Sequence, residues 1–366
     1  MWGVRALIVL CSWLLPVAWG AGAGQVQVVE NVPQHEVVAY SFSDKESPHY
    51  IASVPKVRNV ILMIGDGMSA EHVWAAWLCN GGKLHLECLP YTGFSRTPAA
   101  NRTITDSAAG GTAIACGEKT NNGMLGQAPD GCQLSSLAMR LAAPPYEKAV
   151  GLVVTKAITD ATPAAFYAHT ASRKNTPKIA ADLLKSPFWV VVGGGASAFS
   201  VEDMQALKAE PRRYVALYAP NDCPYAAQRG DALPTHVERA LSVLENAPNG
   251  FFLMIEGSEI DSASHAANLE LAVRETLDFD KTLGVVLRWM QAHPDTLLVV
   301  TADHQTGGLS ILDGSVHKRS VKGVFATTSH TGVAVPVYAA GPGAELFSGI
   351  MENTDFLNKV LRAVNR

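Results

Sequence analysis

Acidic and imidazole side chains follow several apolar segments of the chain, where they could together hold metal ions. They are Asp66, Glu256, Asp261, His265, Asp303 and His304. An Asp and a His four residues apart share one face of a helical turn, so Asp261 and His265 can reach one ion. Carboxylate and imidazole ligands without thiolates suit catalytic zinc, which keeps a coordination position open. One Asp–His pair alone is more often a hydrogen bond at a strand end than a pair of metal ligands, but three groups after three separate strands predict a metal centre.

Ser107 begins a second chemically suggestive segment, Ser-Ala-Ala-Gly-Gly-Thr-Ala. Small residues followed by a helical pattern place its hydroxyl at a helix N-terminus, where backbone N–H groups and the helix dipole favour an anion. The segment alone is equally compatible with a plain N-cap. Beside metal ions, however, a serine hydroxyl can act as a nucleophile without a histidine base.

The elements that must position these residues are buried strands alternating with helices. The predicted strands are 57–64, 149–154, 189–192, 251–255, 296–301 and 333–339, and the predicted helices are 69–79, 107–115, 134–142, 177–185, 200–209, 235–246, 268–292 and 353–364. This alternation predicts an α/β fold, a three-layer sandwich with a largely parallel central sheet. Such sheets bind ligands beyond the carboxyl ends of their strands, where the acidic residues lie.

Composition indicates a large globular protein without a nucleic-acid or membrane-binding surface. The 366 residues are 48% hydrophobic, enough for a large core, and the formal net charge is −4, which provides no basic footprint for nucleic acid or anionic membranes. Residues 25–55 form a polar lead-in that we expect to follow the surface. We expect residues 25–366 to form a single catalytic domain.

The N-terminus has the pattern of a cleaved signal peptide over about residues 1–24. Arg5 precedes an apolar stretch at 6–17, and small residues follow it. An N-terminal membrane anchor is the alternative, although the apolar stretch is short for a span. We therefore expect an exported protein, periplasmic or extracellular, with no membrane partner. Five cysteines would remain, so at most two disulfides can form, and Cys79 with Cys88 is the nearest pair.

Seven segments, in order, resemble the motifs of the alkaline phosphatases. They are Asn59-Val60-Ile61-Leu62-Met63-Ile64-Gly65-Asp66-Gly67-Met68, Thr105–Thr112, Asp160-Ala161-Thr162-Pro163-Ala164, His169-Thr170-Ala171-Ser172-Arg173, Glu256–His265, Thr301-Ala302-Asp303-His304 and His330-Thr331-Gly332. Together they run from about residue 57 to 340. The resemblance implies the alkaline-phosphatase-like form of the α/β sandwich and hydrolysis of phosphate monoesters through a phosphoserine at Ser107.

The resemblance also implies a role for each matching residue at a site with two zinc ions and one magnesium ion. One zinc would be held by Asp261, His265 and His330, and the second by Asp66, Asp303 and His304. Magnesium would be held by Asp66, Thr162 and Glu256, with Asp160 reaching it through water. Arg173 would grip phosphate as a bidentate fork steadied by Asp106. The family resemblance further implies a homodimer.

The chain departs from the family pattern at two places. Position 262 is Ser, where well-known bacterial members carry a Lys that contacts phosphate through water, so we expect weaker binding and faster release of phosphate. Residues 305–329, where many relatives insert a subdomain, are expected to form only a short loop. Asp160, by contrast, is typical of bacterial members.

Other interpretations predict different features. A phosphodiesterase or sulfatase of the same superfamily is the nearest alternative, and Ser107, Thr162, Arg173 and Glu256 oppose it. An inactive, metal-stabilised binding protein would have a damaged site. The histidines without a partner pattern, His35, His72 and His85 among them, are expected to be surface or structural residues. Trp74 and Trp77 are expected in the core.

Overall fold

The computed structural model describes residues 22–40, 56–209 and 212–366 of the chain. Its strands are β1 (Val26–Val29), β2 (Asn59–Gly65), β3 (Tyr91–Arg96), β4 (Ala149–Ala157), β5 (Phe188–Gly194), β6 (Tyr214–Leu217), β7 (Phe251–Gly257), β8 (Thr296–Thr301), β9 (Gln305–Thr306), β10 (Leu309–Ser315), β11 (Ser320–Phe325), β12 (His330–Thr331), β13 (Val335–Ala340) and β14 (Gly349–Glu352). Its α-helices are α1 (Ala70–Cys79), α2 (Ser107–Cys116), α3 (Leu137–Ala142), α4 (Ala161–Ala164), α5 (Thr176–Leu184), α6 (Val201–Lys208), α7 (Ala226–Arg229), α8 (Ala232–Leu244), α9 (Glu259–His265), α10 (Leu269–Met290) and α11 (Asp355–Val364). Short 3₁₀ helices are His85–Cys88, Ala196–Ala198 and Ala344–Phe347.

Nine strands form the central sheet in the order β14-β3-β13-β8-β2-β7-β4-β5-β6. Among these described strands, only β13 runs against its two neighbours, and every other neighbouring pair is parallel. The prediction of a largely parallel sheet is therefore confirmed. Parallel pairing brings the carboxyl ends of β2, β4, β7 and β8 to one edge.

Strand β2 shows why the sheet is covered on both faces. All seven of its residues are buried. Ile61 and Met63 pack into one apolar core with α1, α8 and α10, whereas Leu62 and Ile64 pack into a second core with α2, α3, α5 and α11. Consecutive side chains of a strand point to opposite faces, so an uninterrupted apolar strand needs a helical layer on each side. The three-layer α/β sandwich is confirmed.

The apolar segments predicted the inner strands well and the edge strands poorly. Strand β8 has the predicted bounds, and the other predicted strands and helices shift by a few residues at their ends. Strands β3, β6 and β14 were missed. β3 alternates between exposed and buried residues and contains no continuous apolar run, whereas β6 is apolar but only four residues long and half-buried.

The expectation of a short loop over residues 305–329 was wrong. This segment contains β9 and the antiparallel hairpin β10–β11. β1, from the N-terminal segment predicted to be a polar lead-in, pairs with β11 and completes a three-stranded sheet. The hairpin alternates apolar and polar residues, which allows it to cover α1 with one face while the other meets solvent.

The structure also bears on the predictions for the N-terminus, the cysteines and the two tryptophans. The predicted signal peptide lies outside the described residues except for 22–24. No helix in the described ranges is long and apolar enough to span a membrane. Cys79 and Cys88 are free thiols, as are the other three described cysteines. Trp74 is 49% exposed, so its placement in the core was wrong; it stacks on Trp77 instead.

Candidate metal centre and active site

The predicted site residues converge at the carboxyl-end edge of the central sheet. Asp66 follows β2, Glu256 lies near the end of β7, and Asp303 follows β8. β2 pairs with both β7 and β8 in parallel, so the chain leaves all three strands at the same edge. Two groups of possible metal ligands result, and within each group the ligand atoms lie within 4.8 Å of one another.

The inner group consists of Asp66, Asp303 and His304. All three side chains are completely buried. Nε2 of His304 lies 3.5 Å from Oδ1 of Asp66 and 3.2 Å from Oδ2 of Asp303. Neither of these two carboxylate oxygens has a hydrogen-bond partner in the described part of the chain. Buried carboxylate oxygens without donors are costly and are characteristic of sites that bind a cation.

The outer group consists of Asp261 and His265 on α9 and His330 on β12. Nδ1 of His265 lies 2.6 Å from the carbonyl oxygen of Thr328, and Nδ1 of His330 lies 2.9 Å from that of Thr105. A carbonyl only accepts, so each Nδ1 carries a proton and Nε2 is the nitrogen that can bind a metal. Burial alone would lower the pKa of His330, but its hydrogen bond with Asp261 raises it to about 9 in the metal-free chain. These two Nε2 atoms are 3.1 Å apart and lie 3.3 Å and 3.5 Å from Oδ1 of Asp261. Two Nε2 atoms directed at one point, with the rings fixed by carbonyls, are typical of a metal site.

Ser107 is the first residue of α2 and lies beside the inner group. Its Oγ is 3.1 Å from Nε2 of His304. The N-cap is Asp106, whose carboxylate accepts from the backbone N–H of Ala109, and Ser107 lies at the helix N-terminus as predicted. Gly110 allows the helix to approach the site, because a Cβ there would lie 2.9 Å from the carbonyl oxygen of Asp303.

Arg173 spans two carboxylates beside Ser107. Nη1 lies 3.5 Å from Oδ2 of Asp106, and Nη2 lies 3.3 Å from Oδ1 of Asp160. Its backbone N–H donates to the carbonyl of Gly123, which fixes the origin of the side chain. A guanidinium steadied in this way presents a planar fork suited to two phosphate oxygens.

The residues predicted for magnesium are less tightly assembled than the two groups above. Oγ1 of Thr162 donates to Oδ2 of Asp66 across 3.4 Å. Glu256 is fully buried, and neither of its carboxylate oxygens has a hydrogen-bond partner among the described residues. The same holds for Oδ2 of Asp160. These oxygens form an acceptor-rich space without donors, a donor set that suits a hard cation such as magnesium.

The crowding of carboxylates perturbs their pKa values in the metal-free chain. Burial and neighbouring carboxylates raise the pKa of Asp66 and Glu256 well above their ordinary values. Burial, with Asp261, raises the pKa of Asp303 to about 6. Burial, with His330, lowers the pKa of His304 to about 3, which keeps its imidazole neutral. Without cations these carboxylates would take up protons, so their ionised state calls for positive charge nearby.

Sequence reasoning missed two residues of this site. Oγ1 of Thr306 donates to Oδ1 of Asp261 across 2.6 Å. Nζ of Lys156 lies 3.3 Å from Oδ2 of the same carboxylate. Burial alone would lower the pKa of Lys156, but the surrounding carboxylates raise it well above its ordinary value. Lys156 is the next-to-last residue of an otherwise apolar strand, and no spacing to a partner draws attention to it.

A third group of possible ligands, His35, His85 and Asp280, is built from other elements. Asp280 on α10 accepts from Nε2 of His35 at 2.8 Å and from the backbone N–H groups of His85 and Leu86 at 2.9 and 3.0 Å. Nδ1 of His85 lies 3.2 Å from the same carboxylate, and Nε2 accepts from the backbone N–H of Val38. Every oxygen of this carboxylate is thus partnered by a donor.

Comparison with known proteins agrees with this geometry. The family model described as "Alkaline phosphatase" matches residues 57–209 and 197–322. Alkaline phosphatase 4 of Bacillus subtilis (strain 168) is 30% identical, over 84% of this chain and 88% of its own. The chain belongs to the alkaline phosphatase family. It is accordingly a hydrolase of phosphate monoesters, and the expectation from the sequence motifs is confirmed.

Solved alkaline phosphatases share the fold described above. The enzyme from the Antarctic bacterium TAB5 superposes with a TM-score of 0.79 at 30% identity, covering 86% of this chain and 99% of that one. A variant of the TAB5 enzyme, described as having magnesium bound in its M3 site, gives a TM-score of 0.80 at the same identity and coverage. Enzymes of this alkaline phosphatase family depend on metals, and the inner and outer groups are the candidate ligands.

Proposed function

We propose that this alkaline phosphatase works with two zinc ions and one magnesium ion and forms a phosphoserine at Ser107. The outer zinc would be held by Asp261, His265 and His330, the inner zinc by Asp66, Asp303 and His304, and magnesium by Asp66, Thr162 and Glu256, with Asp160 contributing through water. Arg173, steadied by Asp106, would bind the phosphoryl group.

The observation that carries this proposal is the arrangement of ring nitrogens in the outer group. The Nε2 atoms of His265 and His330, 3.1 Å apart, face each other and the same oxygen of Asp261. Two Nε2 atoms this close repel each other unless a proton or a metal ion lies between them, and the adjacent carboxylate of Asp261 favours a cation there. Imidazole and carboxylate without thiolate is the ligand set of catalytic zinc.

The unpartnered oxygens support the inner zinc and the magnesium ion. Oδ1 of Asp66, Oδ2 of Asp303 and both oxygens of Glu256 lack donors within the described ranges. Cations would stabilise these carboxylates in their ionised forms. The structure of the TAB5 variant with magnesium bound in its M3 site supports, by analogy, a magnesium ion beside Glu256 and Thr162.

The residues of the chain would act in sequence on a bound monoester. Arg173 holds two phosphate oxygens and directs phosphorus toward Oγ of Ser107. Oγ attacks phosphorus as the bond to the leaving alcohol breaks, and a phosphoserine forms. Water then attacks phosphorus from the vacated side, which releases phosphate and restores Ser107. When bound, the divalent cations would lower the pKa of the serine hydroxyl and neutralise charge on the transferred and leaving oxygens.

A p-nitrophenyl phosphate assay across pH, before and after chelation, tests the proposal. We expect highest activity at alkaline pH, loss of activity on chelation, and full recovery only with zinc and magnesium together. Recovery with magnesium alone would contradict the zinc assignment. Absence of activity in fully loaded protein would favour a binding protein with an inert site.

A parallel assay separates a monoesterase from the related phosphodiesterases and sulfatases. The substrates are p-nitrophenyl phosphate, bis(p-nitrophenyl) phosphate and p-nitrophenyl sulfate at equal concentrations. We expect the monoester to be hydrolysed far faster than the other two. A preference for the diester or the sulfate would overturn the assignment of the substrate.

We also propose that residues 25–366 form one catalytic domain that acts outside the cytoplasm as a homodimer. The signal-peptide pattern at residues 1–24 supports export. Each of the two apolar cores extends along most of the central sheet, which supports one folding unit. Cell fractionation tests export, and light scattering of the purified protein tests the dimer.

A further inference from the structure

Lys156 places a positive charge inside the candidate metal centre from a strand that supplies none of the proposed metal ligands. Its side chain is only 12% exposed, and Nζ lies 3.3 Å from Oδ2 of Asp261. The other oxygen of that carboxylate, Oδ1, faces His265 and His330. Lys156 therefore contacts the carboxylate of Asp261 through the oxygen that does not face the imidazoles.

The position of Lys156 is fixed by the sheet. Strand β4 runs parallel to β7, and Val154 is paired with Glu256. Oγ1 of Thr155 accepts from the backbone N–H of Ser258, which ties the end of β4 to the start of α9. Asp261 lies on that helix, so the ammonium group and the carboxylate are held on two elements that are bonded to each other.

We infer that Lys156 is a specificity-determining residue, whose charge makes the site prefer doubly charged phosphate monoesters over singly charged diesters. This inference rests on the proposed function, because it assumes the three divalent cations. They would balance six carboxylates, those of Asp66, Asp106, Asp160, Glu256, Asp261 and Asp303. The carboxylate of Glu259, which also acts on Lys156, would offset the charge of Arg173, so Lys156 supplies the one net positive charge. A monoester at alkaline pH carries two negative charges, whereas a diester carries one.

The size of the effect follows from the distance dependence of charge interactions. A unit charge about 8 Å from a ligand, at an effective dielectric constant of about 20, favours a dianion over a monoanion by roughly tenfold to thirtyfold. Salt weakens this preference less at a buried site than at the surface. We therefore expect a change of about tenfold in the preference when the charge is removed.

A purely structural role is the competing explanation. Lys156 would then only neutralise Asp261 and secure α9, and its loss would impair all substrates equally. Lys148 provides a matched control, because it precedes the same strand at the opposite end. Its ammonium donates to the carbonyl oxygens of Arg58 and Asn249 at 2.8 and 2.9 Å. Lys148→Met removes a buried lysine at the start of β4 without touching the site, and it controls for the loss of a buried side chain beside this strand.

The experiment compares Lys156→Met, Lys156→Arg, Lys148→Met and wild type, each loaded with zinc and magnesium. For each, kcat/KM is measured with p-nitrophenyl phosphate and bis(p-nitrophenyl) phosphate. We expect Lys156→Met to lower the monoester-to-diester ratio about tenfold. Lys156→Arg should keep the ratio within about threefold, and Lys148→Met should leave it unchanged. If Lys156→Met does not fold, Lys156→Gln provides the neutral variant.

Calorimetry provides a second measurement that does not depend on turnover. Binding of inorganic phosphate and of dimethyl phosphate to the loaded proteins is compared at alkaline pH. We expect Lys156→Met to weaken phosphate binding about tenfold and dimethyl phosphate binding much less. Equal losses for both ligands, or an unchanged ratio of kcat/KM, would overturn the inference. Failure of loaded wild type to hydrolyse the monoester would instead overturn the proposed function.

Discussion

Two regions of this molecule bring two histidines and an aspartate together, yet they differ in what surrounds the polar atoms. In the outer group, both Nδ1 atoms donate to carbonyls, and the Nε2 atoms of His265 and His330 face each other. In the group of His35, His85 and Asp280, donors meet acceptors throughout. Residue types and proximity are the same in both regions, so neither distinguishes a metal centre from a structural network.

Hydrogen-bond accounting does distinguish the two regions. Nε2 of His85 accepts from the N–H of Val38, so Nδ1 carries the proton and donates to Asp280. The carboxylate also caps the 3₁₀ helix that begins at His85, through two backbone N–H groups. Gly284 makes room for the imidazole, because a Cβ there would lie 2.5 Å from its Cε1. This region is a saturated hydrogen-bond network, whereas in the outer group two Nε2 atoms converge on one carboxylate oxygen.

The largest contrast concerns catalysis. Ser107→Ala removes the proposed nucleophile and should lower kcat for p-nitrophenyl phosphate by about 10⁴-fold or more, because the oxygen that would attack phosphorus is lost. Asp280→Asn should leave kcat within about twofold at temperatures where the protein is folded. Steady-state kinetics, with thermal melts to confirm folding, measure both. Substantial activity in Ser107→Ala would mean that another group attacks phosphorus.

Zinc binding tests the comparison directly. His330→Ala should lower the affinity for one of the two zinc ions by at least about 100-fold, since it removes a ligand that a backbone carbonyl orients. His35→Ala should leave the affinity for both zinc ions unchanged, because its nitrogen is occupied by a hydrogen bond. Competition with a chromophoric chelator measures the affinities. Loss of a zinc ion in His35→Ala would show that donor saturation does not separate the two kinds of site.

For the free energy of unfolding, the expected effect lies in the group of His35, His85 and Asp280. Asp280→Asn leaves buried donors without their carboxylate and should lower the free energy of unfolding by about 3 kcal/mol. Burial alone would raise the pKa of Asp280, but hydrogen bonds from His35 and His85 hold it below its ordinary value. An Asp with a lowered pKa contributes stability above its unfolded pKa of about 4, and this contribution is lost as pH falls through the folded value.

Urea unfolding of the metal-free protein at several pH values measures this dependence. The difference between wild type and Asp280→Asn should be constant from neutral pH down to about pH 5 and should shrink below about pH 4. Asn80→Ala, which removes the hydrogen bond to the backbone of His35, is a control that should show no such pH dependence. A difference that grows as the pH falls would contradict the assignment.

The smallest effect concerns the charge of the outer group. Ser262→Lys adds a cation next to Asp261 and should increase inhibition by phosphate several-fold, because product release would be slowed. Ser242→Lys, at an exposed position on α8, adds the same charge elsewhere and serves as the control. Steady-state kinetics measure the inhibition constant of phosphate for both variants and for wild type. Unchanged inhibition in Ser262→Lys would show that Ser262 does not account for faster phosphate release.

The sequence predicted those features that are encoded locally. Apolar runs such as 296–301 predicted the inner strands, because residues buried on both faces leave a continuous pattern. The ligand pair Asp261 and His265 was recognisable from its helical spacing. Lys156 was not, since its partner lies 105 positions away in the sequence. The hairpin of β10 and β11 was missed because half of its residues face solvent and resemble a loop.

The histidines without a partner pattern illustrate the same limit. His35, His72 and His85 were expected to be surface or structural residues, and the structure assigns them hydrogen bonds within the fold. His72 is buried between Ser69 and Ser264. The network of His35 with Asp280 joins residues 245 positions apart. Only the folded chain reveals which donors meet which acceptors. The sequence could therefore predict that these histidines are structural, but not which residues they bond to.

The two proposed zinc positions differ in how far they are sealed from the medium. His265 exposes 41% of its side chain, whereas Asp66, Asp303 and His304 expose none. Competing ligands from the medium would therefore reach an ion in the outer group more easily than one held by the three buried side chains. Dilution into zinc-poor surroundings would empty the outer position first, and returning zinc would need to refill only that position.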